Sequence, residues 1–279
     1  MKRFTQVVGD KSFEVIDYPG GEKGTIFAIH GLTGNFNSLS FYADALSKEY
    51  RVISYDLRGR GNSSPADADT SIYTHTEDAL QLIEAINIEK PILLGYSMGA
   101  FISAMVASKM KDIEALILLD GAGKTAPEKR ELIKPSIGRL GKAYESQEAY
   151  VDEVKTIFSS LGVEWGPRLE LTAKYEIKEE NGVWKHKSSP EAIEQDFESF
   201  YTFESKSFFP SIQCKTLLFT AKEGLGANPP LFDDETYVDT IKYANNLETI
   251  DTSCNHYTLV QQNQPIINNQ IKEFLLKNE

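Results

Sequence analysis

The chain has 279 residues, 41% hydrophobic and 25% charged, which excludes extended disorder, collagen-like repeats and coiled coil as the main architecture. Lys and Arg total 29 against 41 Asp and Glu, a formal net charge of −12 that offers no basic surface to nucleic-acid phosphates or anionic lipid. The two cysteines, Cys214 and Cys254, exclude a disulfide framework and any Cys-based zinc spacing.

In chain order, Phe4–Val8 and Ser12–Tyr18 flank Gly9-Asp10 and predict a hairpin, an antiparallel entry into a sheet. No apolar stretch follows the basic tip Lys2-Arg3, so no signal peptide is expected. The longest apolar runs, such as Ala115–Leu119, fall far short of the roughly 20 residues that span a bilayer. A cytoplasmic protein without membrane insertion is the expectation. The runs Thr25–Ile29, Arg51–Tyr55, Pro91–Leu94 and Ala115–Leu119 largely lack polar alternation, as do parallel strands covered on both faces. Helical patterns near residues 38–49, 73–87 and 98–110 lie between them. This repetition predicts an α/β fold with a doubly wound, mostly parallel sheet.

The alternation stops after Asp120-Gly121-Ala122-Gly123. Mixed helical patterns and turn signals follow, with Asn181-Gly182 as the tip of a hairpin from about Tyr175 to Lys187. Alternation resumes with Thr216–Thr220, a helix near 234–245, the strand Leu247–Asp251 and a closing helix near 265–277. Residues 1–121 and 213–279 are therefore read as one core domain. Residues 122–212 are read as an insertion between two of its strands, mainly helical with a small hairpin.

Chemistry concentrates at Gly95-Tyr96-Ser97-Met98-Gly99, between a predicted strand and an apolar helix. A serine hydroxyl standing proud of so tight a turn can attack a carbonyl, and the flanking glycines let the turn form without clashes. The strand Phe27–Ile29 runs into His30-Gly31-Leu32-Thr33-Gly34, a loop at the carboxyl edge of a parallel sheet, beside the serine turn. A tetrahedral oxyanion needs about two fixed backbone N–H donors, and the amides of Leu32 and Met98 are the expected suppliers. His30 precedes the loop glycine and is expected to bond backbone there, outside direct catalysis.

Together these motifs resemble the α/β-hydrolase superfamily, over almost the whole chain. Asp56-Leu57-Arg58-Gly59-Arg60-Gly61-Asn62-Ser63 matches that family's D-x-R-G-x-G-x-S segment, whose role there is structural. The resemblance implies an eight-stranded sheet with a lid inserted after the sixth strand, where this chain breaks its alternation. It also implies the order nucleophile, acid, histidine. Of His30, His75, His186 and His256, only His256 follows the last predicted strand and precedes the last helix, where this fold carries its base. For the acid, the seventh-strand exit reads Ala221-Lys222-Glu223-Gly224-Leu225, with Gly224 at the usual aspartate position. Some relatives place the acid after the sixth strand, which here ends in Asp120. Asp120 is favoured, and Glu223 stays as the alternative.

The expected activity is a serine hydrolase that cleaves a small carboxylic ester, thioester or lactone through an acyl-enzyme on Ser97, with no metal and no cofactor. Two alternatives remain: C–C bond hydrolysis or lyase chemistry with the same triad, and a non-catalytic small-molecule receptor of this fold. In the insertion, Phe197, Phe200 and Tyr201 share a helical face, followed by Phe203, Phe208 and Phe209; they read either as a pocket wall or as packing, and Trp165 and Trp184 likewise. With an acidic exterior, an apolar cleft would suit a small neutral or weakly polar substrate.

Overall fold

The computed structural model describes residues 1–277. Its frame is an eight-stranded sheet. β1 (Lys2–Val8) and β2 (Lys11–Tyr18) pair antiparallel, and β2 pairs antiparallel with β4 (Arg51–Tyr55). β3 (Thr25–Ile29), β5 (Ile92–Tyr96), β6 (Ala115–Leu119), β10 (Lys215–Ala221) and β11 (Leu247–Thr252) complete it, all parallel to β4. The order is β1-β2-β4-β3-β5-β6-β10-β11. From β3 the chain steps outward to β4, then returns past β3 to β5. That reversal opens a crevice at the carboxyl ends of β3 and β5, where open α/β sheets place their ligands.

Strand residues alternate between two apolar layers, as the two-residue period of a strand requires. Phe27, Ile29, Ile53, Leu116 and Leu118 join one core with α2 (Ile72–Ala85) and α3 (Met98–Lys109). Ile26, Ala28, Val52, Ile117 and Phe219 join the other with α1 (Ser40–Leu46) and α11 (Pro265–Leu276). The helix predicted near 38–49 is shorter than expected. A 3-10 turn at Phe36–Leu39, capped by the Asn35 side chain, precedes α1.

Residues 122–212 leave the sheet between the neighbouring strands β6 and β10. They form α4 (Arg130–Gly138), β7 (Ala143–Tyr144), α5 (Gln147–Ser160), α6 (Pro167–Glu176), β8 (Ile177–Glu180), β9 (Val183–His186), α7 (Pro190–Glu198) and α8 (Ser205–Phe208). β8 and β9 turn through Asn181 and Gly182, both at positive φ (53° and 80°), and β7 adds a third strand on the far side of β9. The sequence pattern does not reveal β7, because two residues carry no period. A separate small core of Tyr144, Tyr150, Val151, Val154, Ala173 and Ile177 supports this layer. The chain then returns to β10, followed by α9 (Asp234–Tyr243) and, after β11, α10 (Thr258–Gln261). Among the described residues, no helix is long and apolar enough to cross a membrane.

Candidate active site

β5 ends at Tyr96 and α3 begins at Met98, so Ser97 alone makes the turn between them. Its φ of 52° and ψ of −119° lie where residues with a side chain are rarely found. The neighbouring glycines let the surrounding structure hold it there. A Cβ on Gly95 would fall 2.2 Å from the Gly99 carbonyl oxygen, and one on Gly99 only 2.0 Å from that of Ile29. Either side chain would force α3 away from the sheet. Hydrogen bonds from Ser97 N–H to Leu119 O (3.0 Å) and from Ala100 N–H to Ser97 O (2.9 Å) fix the turn from both sides.

The structure brings Ser97, His256 and Asp120 together. Ser97 Oγ lies 3.1 Å from His256 Nε2, and His256 Nδ1 lies 2.7 Å from Asp120 Oδ2. With the ring proton on Nδ1 donated to the carboxylate, the Nε2 lone pair faces the serine hydroxyl. Asp120 is fully buried, and its other oxygen accepts from Tyr237 Oη–H (2.9 Å) and Ala221 N–H (3.1 Å). Two fixed donors hold that carboxylate in place, and both lie outside the reach of the sequence reading. Tyr96 Oη–H donates to His256 O (3.0 Å), and the ring of Phe232 stands edge-on to the imidazole at 5.5 Å. Glu223 is exposed; its amide donates to Cys254 O, and the residue lines a separate surface hollow with Ser253, Cys254 and Asn255.

The loop after β3 runs beside this turn. His30 is fully buried; Nδ1–H donates to Gly31 O (2.7 Å) and Nε2 accepts from Leu57 N–H (3.1 Å). Burial pushes its pKa down to about 3, so the ring is neutral and fixed in one tautomer. Gly31 O also accepts from Gly34 N–H (3.1 Å). Because a trans peptide sets C=O and N–H on opposite sides, holding Gly31 O aims the Leu32 N–H the other way. Met98, the first residue of α3, carries one of the N–H groups that a helix leaves without an internal acceptor. In the D-x-R-G-x-G-x-S segment, Asp56 accepts from Phe36 N–H and Asn62 N–H (both 2.9 Å) and from Tyr175 Oη–H (2.5 Å).

Ser97 and His256 open into a pocket between the sheet edge and residues 122–212. Ile133, Phe197, Phe200, Leu231 and Phe232 form apolar walls. Of the six aromatic residues singled out in residues 197–209, only Phe197 and Phe200 line it. Phe203 packs edge-on to Phe101 of α3 (centroids 4.9 Å apart), and Phe208 stacks on Phe203 (5.2 Å). The cleft is mainly apolar, as expected, but Ser136, Arg139, Thr172 and Glu176 also line it. Arg139 donates to Glu176 (3.3 Å) and to Tyr150 Oη (3.1 Å). Burial alone pushes the Glu176 carboxyl up, but Arg139 and His186 more than reverse this and hold it below the usual carboxylate range. No sequence signal joins these residues, since they come from separate elements. His186 lies beside Glu176 (3.7 Å), with burial pushing its pKa down, whereas His75 is buried beside Asp196. Trp165 and Trp184 pack against the small core of the insertion.

A family model described as the alpha/beta hydrolase fold matches residues 24–262. The chain is 33% identical over 140 residues to a 3-hydroxybutyrate-oligomer hydrolase from Cupriavidus necator, 49% of this chain and 47% of that one. It is 27% identical over 188 residues to a putative carbamate hydrolase, RutD, from Klebsiella pneumoniae, 65% of this chain and 66% of that one. The chain thus spans less than two thirds of the length of these curated relatives. Among solved structures, an E-2-(acetamidomethylene)succinate hydrolase superposes with a TM-score of 0.83 at 16% identity, over 98% of both chains.

Proposed function

Since the chain belongs to the alpha/beta hydrolase fold family, we propose that it is a hydrolase that cleaves small carboxylic esters, thioesters or lactones through an acyl-enzyme on Ser97. The observation that carries this reading is the continuous relay of 3.1 Å and 2.7 Å contacts from Ser97 through His256 to Asp120, at the mouth of a walled pocket. His256 Nε2 takes the hydroxyl proton as Ser97 Oγ attacks the carbonyl carbon, and Asp120 stays ionised to stabilise the imidazolium. The Leu32 and Met98 N–H groups receive the oxyanion, a contribution worth about 3 kcal/mol per donor in the barrier. Collapse of the tetrahedral adduct breaks the carbonyl–heteroatom bond, and the leaving group takes its proton from Nε2. Water then repeats the sequence on the acyl-enzyme and frees Ser97. Residues 122–212 act as the lid that walls this site from solvent.

Likeness to the putative carbamate hydrolase favours one second reading, attack of the same serine on a carbamate carbonyl. Fluorophosphonate labelling, with turnover of aryl esters, thioesters, lactones and aryl carbamates, separates the two. The expected result is labelling that Ser97→Ala abolishes, with ester turnover exceeding carbamate turnover. Labelling that persists elsewhere overturns the nucleophile. Labelling at Ser97 with carbamates turned over faster selects the second reading. Ester-inert protein with a reactive Ser97 points to C–C cleavage or to a receptor.

A further inference from the structure

Arg60 is one of three variable positions inside the D-x-R-G-x-G-x-S segment, and its side chain is completely buried. It reaches three acceptors. Nη1 donates to Arg58 O (3.1 Å), Nε to Leu32 O (3.1 Å), and Nη2 to Asp196 Oδ2 (2.5 Å). The first acceptor lies in its own turn. The second belongs to Leu32, the residue whose N–H is the proposed oxyanion donor. The third stands on α7, in the inserted segment, 136 residues away in sequence.

Asp196 is itself fully held. Its Oδ1 accepts from Thr70 Oγ–H (2.7 Å), and Oδ2 also accepts from His75 Nε2–H (3.0 Å). Burial pushes its carboxyl up, but the Arg60 guanidinium and His75 outweigh that, leaving it well below the usual carboxylate range. The pair is therefore ionic in a site without water-level screening. Removing one partner of such a pair leaves the other charge buried and uncompensated.

Around Leu32, two peptide planes are clamped from different sides. His30 and Gly34 hold the preceding carbonyl, Gly31 O, and Arg60 holds the following one, Leu32 O. Only the second clamp depends on the inserted segment. We infer that Asp196 and Arg60 are positioning residues: α7, by pairing its carboxylate with Arg60, fixes the Leu32 carbonyl and so preorganises the Leu32 N–H as an oxyanion donor. The insertion then contributes to the chemical step as well as covering the pocket. This inference rests on the acyl-enzyme reading above.

The test uses the full chain and a serine titrant, so that kcat is expressed per reactive Ser97. Three variants are compared with wild type on an aryl ester: Asp196→Asn, Arg60→Met, and the double variant Arg60→Met/Asp196→Leu. Affinity for an aryl trifluoromethyl ketone, whose adduct carries the oxyanion, is measured alongside. Each single variant should lose about 10- to 100-fold in kcat, the scale of a displaced catalytic group, with KM changed less than about threefold. Ketone affinity should fall in parallel. The double variant removes both charges of the Arg60–Asp196 pair and should be more stable than either single variant, although Thr70 and His75 lose their acceptor; it lacks the Leu32 clamp and should keep the low kcat. Because it removes both charges, it reports even where a single variant fails to fold.

Wild-type kcat and ketone affinity in Asp196→Asn would overturn the inference, as would a double variant that regains full kcat along with its stability. Wild-type protein that turns over no ester and binds no titrant at Ser97 would instead overturn the reading on which it rests.

Discussion

Asp120 and Glu223 are both carboxylates at the carboxyl edge of the sheet, and surroundings separate them. Asp120 is buried against His256 Nδ1 at 2.7 Å, with two donors on its far oxygen; Glu223 is exposed to solvent. Asp120→Asn should leave the fold intact but reverse the hydrogen-bonding preference at Nδ1, lowering kcat by about 10³- to 10⁴-fold. Glu223→Gln should stay within about twofold of wild type, since it disturbs only a solvated group. Steady-state kcat per titrated serine checks both, and the opposite ranking would move the acid to the exit of β10. Tyr237 supplies one of the two donors to Asp120, a hydrogen bond to charge worth about 1.5–3 kcal/mol. Tyr237→Phe should therefore lower kcat by roughly tenfold with little change in KM, a loss to be read in the same assay. Ser97 and His256 were legible in the sequence, because a glycine-flanked serine after a strand and a histidine between the last strand and helix are local patterns. Tyr237 was not. It lies on a solvent-edge helix whose register against Asp120 is set only by tertiary packing.

Elements differ in how far sequence reveals them. Strands buried on both faces announce themselves as apolar runs, so the core sheet could be traced residue by residue. Between β6 and β10 the helices carry shorter amphipathic patterns, and β7 has two residues, so the order and pairing there depend on contacts distant in sequence. The aromatic residues around α7 show the same limit. Phe197 and Phe203 are six residues apart and both nearly buried, yet the first lines the pocket and the second wedges against Phe101. Truncation should separate them. Phe197→Ala enlarges the pocket wall and should shift the optimum of kcat/KM toward longer or bulkier acyl groups. Phe203→Ala should destabilise the fold by about 3 kcal/mol through the cavity beside α3 and leave the acyl-length profile unchanged. Thermal unfolding and an ester chain-length series measure the two effects. A shifted profile in Phe203→Ala would mean that its ring reaches the substrate.

At the scale of the whole molecule, the reversal of strand order between β4, β3 and β5 makes the crevice, and the loops leaving those strands must be rigid to keep it. His30 ties two of them, bonding Gly31 O after β3 and Leu57 N–H after β4 through opposite ring nitrogens. The bond from Leu57 N–H requires a neutral ring, because protonating Nε2 would abolish its acceptor, whereas Nδ1–H could donate to Gly31 O in either state. Burial accordingly lowers the folded pKa to about 3, against 6.5 for an ordinary histidine. A base with a depressed folded pKa contributes fully above its unfolded value, and that contribution is lost as pH falls from 6.5 toward 3, because only the unfolded chain takes up the proton. Between pH 7 and pH 5 this single ring should cost the wild type about 2 kcal/mol of unfolding free energy. His30→Asn lacks the linked proton. It should be less stable than wild type at pH 7, where the two bonds are lost without compensation, and the gap should narrow by about 2 kcal/mol at pH 5. Chemical denaturation of both proteins at the two pH values measures that gap; one that stays constant would mean the folded protein accommodates a charged ring at this junction.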